Sequence, residues 1–115
     1  MRILLLATSI VVLATPALSE TLSGNQITSM IVGNTMSGVQ DGVQYEQYLN
    51  PSGTIFGDAG GEDYGGRWKI SGNQVCFMYG GPESTGGWDC STVTLRNNRI
   101  IFEDGTTATV KRTAQ

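Results

Sequence analysis

The chain has 115 residues, with ten acidic and seven basic side chains, no histidine and two cysteines. Without histidine there is no Ser-His-Asp or Cys-His nucleophile and no His-ligated zinc, and two cysteines cannot close a thiolate metal site. The length allows one domain, and a formal net charge of −3 with scattered basic residues argues against nucleic acid and anionic membrane surfaces as partners.

Residues 1–19 read as a secretory signal peptide. Arg2 gives a positive start, Ile3 to Ala14 is an almost unbroken apolar run, and Pro16 breaks it. Ala17 and Ser19 then supply the small residues of a cut before Glu20. The run is short of the roughly 20 residues that span a bilayer. No membrane span is therefore expected after cleavage, and 20–115 forms the mature domain in the periplasm or outside the cell.

Leu22 to Thr35 carries the one helical pattern. Ser23 with Gln26 resembles a capping box, Ile27, Met30 and Ile31 make an apolar stripe, and Gly33-Asn34 supplies a stop. From Thr35 onward, turn signals recur at nearly even spacing: Asp41-Gly42, Pro51-Ser52-Gly53, Gly60 to Gly66, Gly72-Asn73, Gly80 to Gly87, Asn97-Asn98 and Asp104-Gly105. Eight strands fall between them, at 35–40, 43–49, 54–58, 67–71, 74–79, 88–95, 99–103 and 107–112. The expected fold is mainly β: a small antiparallel up-and-down meander or barrel of about eight strands with one short N-terminal helix.

Alternation is clean in Val75, Phe77 and Tyr79. It slips in 88–95, where Trp88 and Cys90 are even but Val93 and Leu95 odd. The slip predicts a bulge near Ser91-Thr92. Which face Cys76 and Met78 occupy stays open.

Cys76 and Cys90 are the only cysteines, and an oxidising compartment pairs them. The alternative is two free thiols. Closing that loop is worth roughly 3 kcal/mol on the chain-entropy model.

Trp68, Trp88, Tyr45, Phe77 and Tyr79 sit on strands expected to lie near one another, and the first four are the candidate ligand-binding set. They could line a barrel mouth that meets a small ligand or an envelope protein, or they could simply fill the interior. Asp58, Glu62 and Asp63 are close enough in sequence to collect calcium, yet lack the spacing of a calcium loop, and a solvated turn explains them more simply. Glu62 with Glu83 or Asp89 is a poor glycosidase pair. The basic pairs Arg67/Lys69 and Arg96/Arg99 read as solvated charges or as a grip on an acidic ligand. No catalytic residue, metal or cofactor is expected.

The order Ser23-Gly24-Asn25-Gln26-Ile27, Gly33-Asn34-Thr35, Ser37-Gly38, Pro51-Ser52-Gly53-Thr54-Ile55, Gly66-Arg67-Trp68 and Val75-Cys76-Phe77, then Trp88 and Cys90 before Val93, resembles a family of small exported bacterial proteins. That family is catalogued only as a domain of unknown function. The resemblance implies export, a Cys76–Cys90 bridge and no assigned activity. In the family pattern an aromatic directly follows the second cysteine, whereas Ser91 does so here. A more distant architectural similarity is to bacterial inhibitors of secreted metalloproteases, whose N-terminal segment enters the protease cleft. Glu20-Thr21-Leu22 would be that segment. The sequence thus points to a non-catalytic binding module of the cell envelope, with protease inhibition as the alternative and a small hydrolase as a third reading.

Overall fold

The computed structural model describes residues 19–81 and 86–112. The expected signal peptide, apart from its last residue, and Glu83 lie outside the described residues. The chain runs β1 (Glu20–Thr21), α1 (Gly24–Ile31), β2 (Asn34–Gln40), β3 (Val43–Leu49), β4 (Thr54–Ala59) and β5 (Glu62–Ser71). It continues through β6 (Gln74–Tyr79), β7 (Asp89–Ser91), β8 (Val93–Arg96), β9 (Arg99–Phe102) and β10 (Thr107–Arg112).

All ten strands join one antiparallel sheet in the order β1-β8-β9-β10-β2-β3-β4-β5-β6-β7. Only Thr92 separates β7, at one edge, from β8, near the other. The sheet therefore curls into a barrel-like shell. Glu103 marks the seam. Its carboxylate accepts from the Thr92 backbone N–H at 2.8 Å and from the Gln74 amide at 3.3 Å, while its own N–H donates to Ser91 Oγ. These bonds hold the carboxyl of Glu103 below the usual carboxylate range.

The helix begins as its capping box dictates: Ser23 Oγ accepts from Gln26 N–H and the Gln26 side chain accepts from Ser23 N–H. It occupies eight residues inside the stretch Leu22–Thr35 and ends just before the expected Gly33-Asn34 stop. Val32 turns extended and bridges Leu49, and Gly33 adopts a left-handed φ of 78°. Asn34 and Thr35 then pair within β2. The helix packs at one end of the shell, where Gly24 N–H donates to Asn73 Oδ1 and a β-carbon on Gly24 would collide with the Gly72 carbonyl.

Below the helix lies an aliphatic core of Leu22, Ile27, Ile31, Met36, Leu49, Val75, Val93, Ile100 and Ala108, all buried. Burying such side chains contributes about 1.5–3 kcal/mol each for the larger ones. Trp68 Nε1–H donates to the Asn50 carbonyl at 2.8 Å and ties the β3–β4 turn to this end.

Three expectations need correction. Glycines 60–66 are not one long turn. Gly60 and Gly61 alone make the turn, and Tyr64, Gly65 and Gly66 sit in β5, because these glycines accommodate close neighbours across the ladder. The 88–95 strand is interrupted at Thr92, next to the expected bulge, but not by a parity slip. Asp89 pairs with core-facing Phe77 and Ser91 with Val75, so residues 89, 91, 93 and 95 keep one face and Trp88 and Cys90 take the other. Finally, two residues before the helix, Glu20 and Thr21, pair with Leu95 and Thr94 and add a strand.

Cys76 and Cys90 are disulfide-bonded across the β6–β7 ladder, on the face opposite the core. The bridge is compatible with an oxidising compartment. Among the described residues no helix is long and apolar enough to cross a membrane.

Candidate functional site

The four aromatic residues singled out in the sequence do not converge. Trp68 and Phe77 are cross-strand neighbours on the inner face. Phe77 stacks on Tyr79 at 5.9 Å and meets Phe102 edge-on at 6.2 Å. Tyr45 lies farther towards the other end, opposite Gly38. Trp88 is outside, with Lys69 Nζ 4.5 Å and Arg67 Cζ 5.9 Å from its ring centroid. Asp58 stands opposite Asp63 and accepts from the Gly61 backbone N–H at 3.0 Å, which closes the turn. Among the described residues no three metal-ligating side chains are placed to hold an ion.

The end opposite the helix is built from a different pattern. There the β2–β3, β4–β5, β6–β7 and β9–β10 connections gather, and three tyrosines each face a glycine across the ladder: Tyr45 with Gly38, Tyr64 with Gly57 and Tyr79 with Gly66. A β-carbon at Gly57 would stand inside the Tyr64 ring, and one at Gly38 would lie 2.9 Å from the Tyr45 hydroxyl. At Gly66 it would press into the β6 backbone, 2.5 Å from the Met78 carbonyl. Each glycine thus lets a ring or a strand lie closer than any other residue permits.

Gln47 is the focus of this layer. It is 2 % exposed and is the buried polar side chain of the described core. Gly57 lies between Gln47 and Tyr64 in the register, so the Tyr64 ring can pass over Gly57 and donate its hydroxyl to Gln47 Oε1 at 2.8 Å. Tyr79 donates to the same oxygen at 3.0 Å, and the two rings meet edge-on at 5.8 Å. The amide nitrogen of Gln47 has no acceptor among the described residues. Among the described residues no buried side-chain polar atom lacks a partner, so this nitrogen is within reach of solvent.

Burial raises the pKa of all three phenols and so weakens them as acids. Tyr64 is pushed up to about 12, with Tyr79, Tyr45 and Asp58 adding to the effect. Tyr45 is raised by burial and then by Asp104, and Tyr79 is raised by burial although its bond to Gln47 opposes the shift. All three are therefore neutral hydrogen-bonding groups at ordinary pH.

Several carboxylates lie at the tyrosine end: Asp41 and Asp104 in its turns, Glu62 and Asp63 at the start of β5, Asp58 near the end of β4 and Asp89 at the start of β7, while Glu20 accepts from Gln26 at the helix end and Glu103 is held at the seam. Arg96 and Arg99 flank the opposite Asn97–Asn98 turn, Lys111 and Arg112 finish β10 at the helix end, and Arg67 and Lys69 occupy the second half of β5. Sequence reading singled out Tyr45 and Tyr79 but missed Tyr64, Gln47 and the facing glycines, because glycine–tyrosine opposition is a property of register. The available signal was the repeated Gly-to-Tyr offset, Gly38 to Tyr45 and Gly57 to Tyr64, across short hairpins.

Two open grooves are present. One of about 900 Å³ is lined by Gly38, Tyr45, Asp58 and Gly60 of the tyrosine end together with Glu46 and Arg99. The other, about 810 Å³, lies between α1 and the ends of β8 and β10, beside Met30, Leu95 and Arg112. Neither brings a nucleophile to a general base. Glu20 and Thr21 are held in the sheet and Leu22 is buried, so this segment lies against the barrel. Comparison with family models, with curated proteins and with solved structures finds no match for this chain.

Proposed function

We propose that the protein is an exported, non-catalytic binding module of the cell envelope that meets its partner with the tyrosine end of the barrel. The observation that carries this reading is the layer of Tyr45, Tyr64 and Tyr79 around Gln47. Tyrosines combine a rigid apolar ring with a polar tip and are enriched where proteins recognise ligands. Tyr79 is 49 % exposed although its hydroxyl reaches Gln47, and the exposed Val39 and Val43 adjoin the same end. The leader-like residues 1–19, the likeness to the small exported family and the disulfide support periplasmic or secreted residence.

The test is to titrate isotope-labelled protein with the small-molecule fraction of the host envelope and to map backbone shifts. The expected changes cluster at Gly38–Tyr45, Ala59–Tyr64 and Tyr79–Gly81. Shifts confined to the helix end, or none at all, overturn the reading.

A further inference from the structure

We propose that the groove beside Tyr45 binds a neutral saccharide, held by ligand hydroxyls that both donate and accept hydrogen bonds. This deepens the reading above and rests on it. The groove, of about 900 Å³, reaches from the tyrosine end across β4, β3, β2, β10 and β9.

Strand register builds its floor. Arg99 stands opposite Thr109, Thr109 opposite Ser37, Ser37 opposite Glu46 and Glu46 opposite Asp58. The five side chains thus form one row across five neighbouring strands, and all five line the groove. At the usual spacing of about 4.8 Å between strands, the four steps cover about 19 Å, room for more than one sugar ring.

The row offers both kinds of hydrogen-bonding group. Arg99 only donates, the Glu46 carboxylate only accepts, and the Ser37 and Thr109 hydroxyls, 3.0 Å apart, can do either. Asp58 gives Oδ1 to the Gly61 backbone N–H and keeps its second oxygen. Tyr45 adds a half-buried ring at the rim, and among the described residues its hydroxyl makes no hydrogen bond.

The fold itself does not ask for these charges. Glu46 and Asp58 face each other directly in the ladder, and so do Arg96 and Arg99, arrangements that destabilise a sheet. Among the described residues neither Arg99 nor Glu46 has an ion-pair partner. A cationic ligand would be repelled at Arg99 and an anionic one at Glu46 and Asp58, so neither sign matches the whole row. A hydroxyl gives its proton to a carboxylate and its lone pairs to a guanidinium, so a run of hydroxyls matches all of it. The apolar C–H face of a sugar ring is then the partner of the Tyr45 ring.

The probes are cellotriose, maltotriose and triacetylchitotriose, with tetraglycine as an extended dipolar chain that carries no hydroxyl. Backbone shifts of the labelled protein report binding. At least one trisaccharide is expected to shift Ser37–Glu46, Asp58–Gly61 and Thr107–Thr109, with an affinity that added salt leaves unchanged. Glu46→Ala relieves a like-charge contact, so it should fold, and it should weaken binding about tenfold by removing a charged acceptor. Lys69→Gln, outside the groove, should leave the affinity as it is. Tighter binding of tetraglycine, or trisaccharide shifts that map away from the groove, overturn the saccharide assignment. No shift with any probe overturns it as well, and the envelope small-molecule fraction run in parallel decides separately whether the tyrosine end is the binding end.

Discussion

The two ends of the barrel are made of different materials. At the helix end, aliphatic side chains from α1, β2, β3, β6, β8 and β9 close around one another, and Ile27, Ile31, Leu49, Val75 and Val93 have no exposure. At the other end, tyrosines lean over glycines, a buried amide takes two phenol hydroxyls, and carboxylates ring the rim. The first arrangement maximises apolar burial and has no unmatched polar group to offer a ligand. The second gives up side-chain volume at Gly38, Gly57 and Gly66 to hold polar groups in fixed positions. One end stabilises the fold while the other presents chemistry.

Breaking the helix end should have the largest effect. Ile27→Ala leaves a cavity in a fully buried site and is expected to cost about 2–5 kcal/mol in denaturant unfolding. A loss under about 1 kcal/mol would mean that the helix is not an integral part of the core.

Removing the disulfide comes next. Cys76→Ala with Cys90→Ala should cost about 3 kcal/mol, because the bridge pins the short strand β7 to β6 and restricts the unfolded chain. An unchanged melting temperature would show that the ladder alone holds β7.

Gly57→Ala sharpens the comparison from the tyrosine end. Its β-carbon displaces the Tyr64 ring and breaks the bond to Gln47, an expected loss of about 1–3 kcal/mol. The same substitution at Gly42, whose β-carbon would meet nothing within 4 Å, lacks that clash and tests only its left-handed φ of 77°.

A smaller, pH-dependent effect separates the ends again. Tyr64 holds its proton more tightly when folded, so its contribution is fully present below pH 10 and is lost as pH rises from the ordinary value of 10.0 towards about 12. Tyr64→Phe should flatten that alkaline decline. An alkaline profile identical to the parent would show that the phenol does not titrate in the folded layer.

The strand spacing, the turns and the helix start were legible because each depends on residues close in sequence. Asp41-Gly42 and Asn97-Asn98 announce two-residue hairpins, and all four residues adopt left-handed φ values. Ser23 and Gln26 announce the cap. What was not legible depends on which residues stand opposite one another. Trp88 looked like an inner-wall aromatic until the Phe77–Asp89 register placed it outside, against Lys69 and Arg67. Gln47 looked like an ordinary polar strand position, and only the Gln47–Gly57–Tyr64 row explains its burial. The helix stop at Gly33-Asn34 was legible, but nothing local to Val32 signals its bridge to Leu49.

The most direct test of this division of labour compares Ile27→Ala with Tyr79→Ala, measuring unfolding stability and the shifts that the envelope small-molecule fraction induces at Tyr45 and Tyr64 in both. Ile27→Ala should lose stability and, while folded, keep the ring response. Tyr79→Ala should cost about 1–3 kcal/mol, from its hydrogen bond to Gln47 and its ring contacts with Phe77 and Tyr64, and lose the response. A Tyr79→Ala protein that keeps the full response would contradict the account.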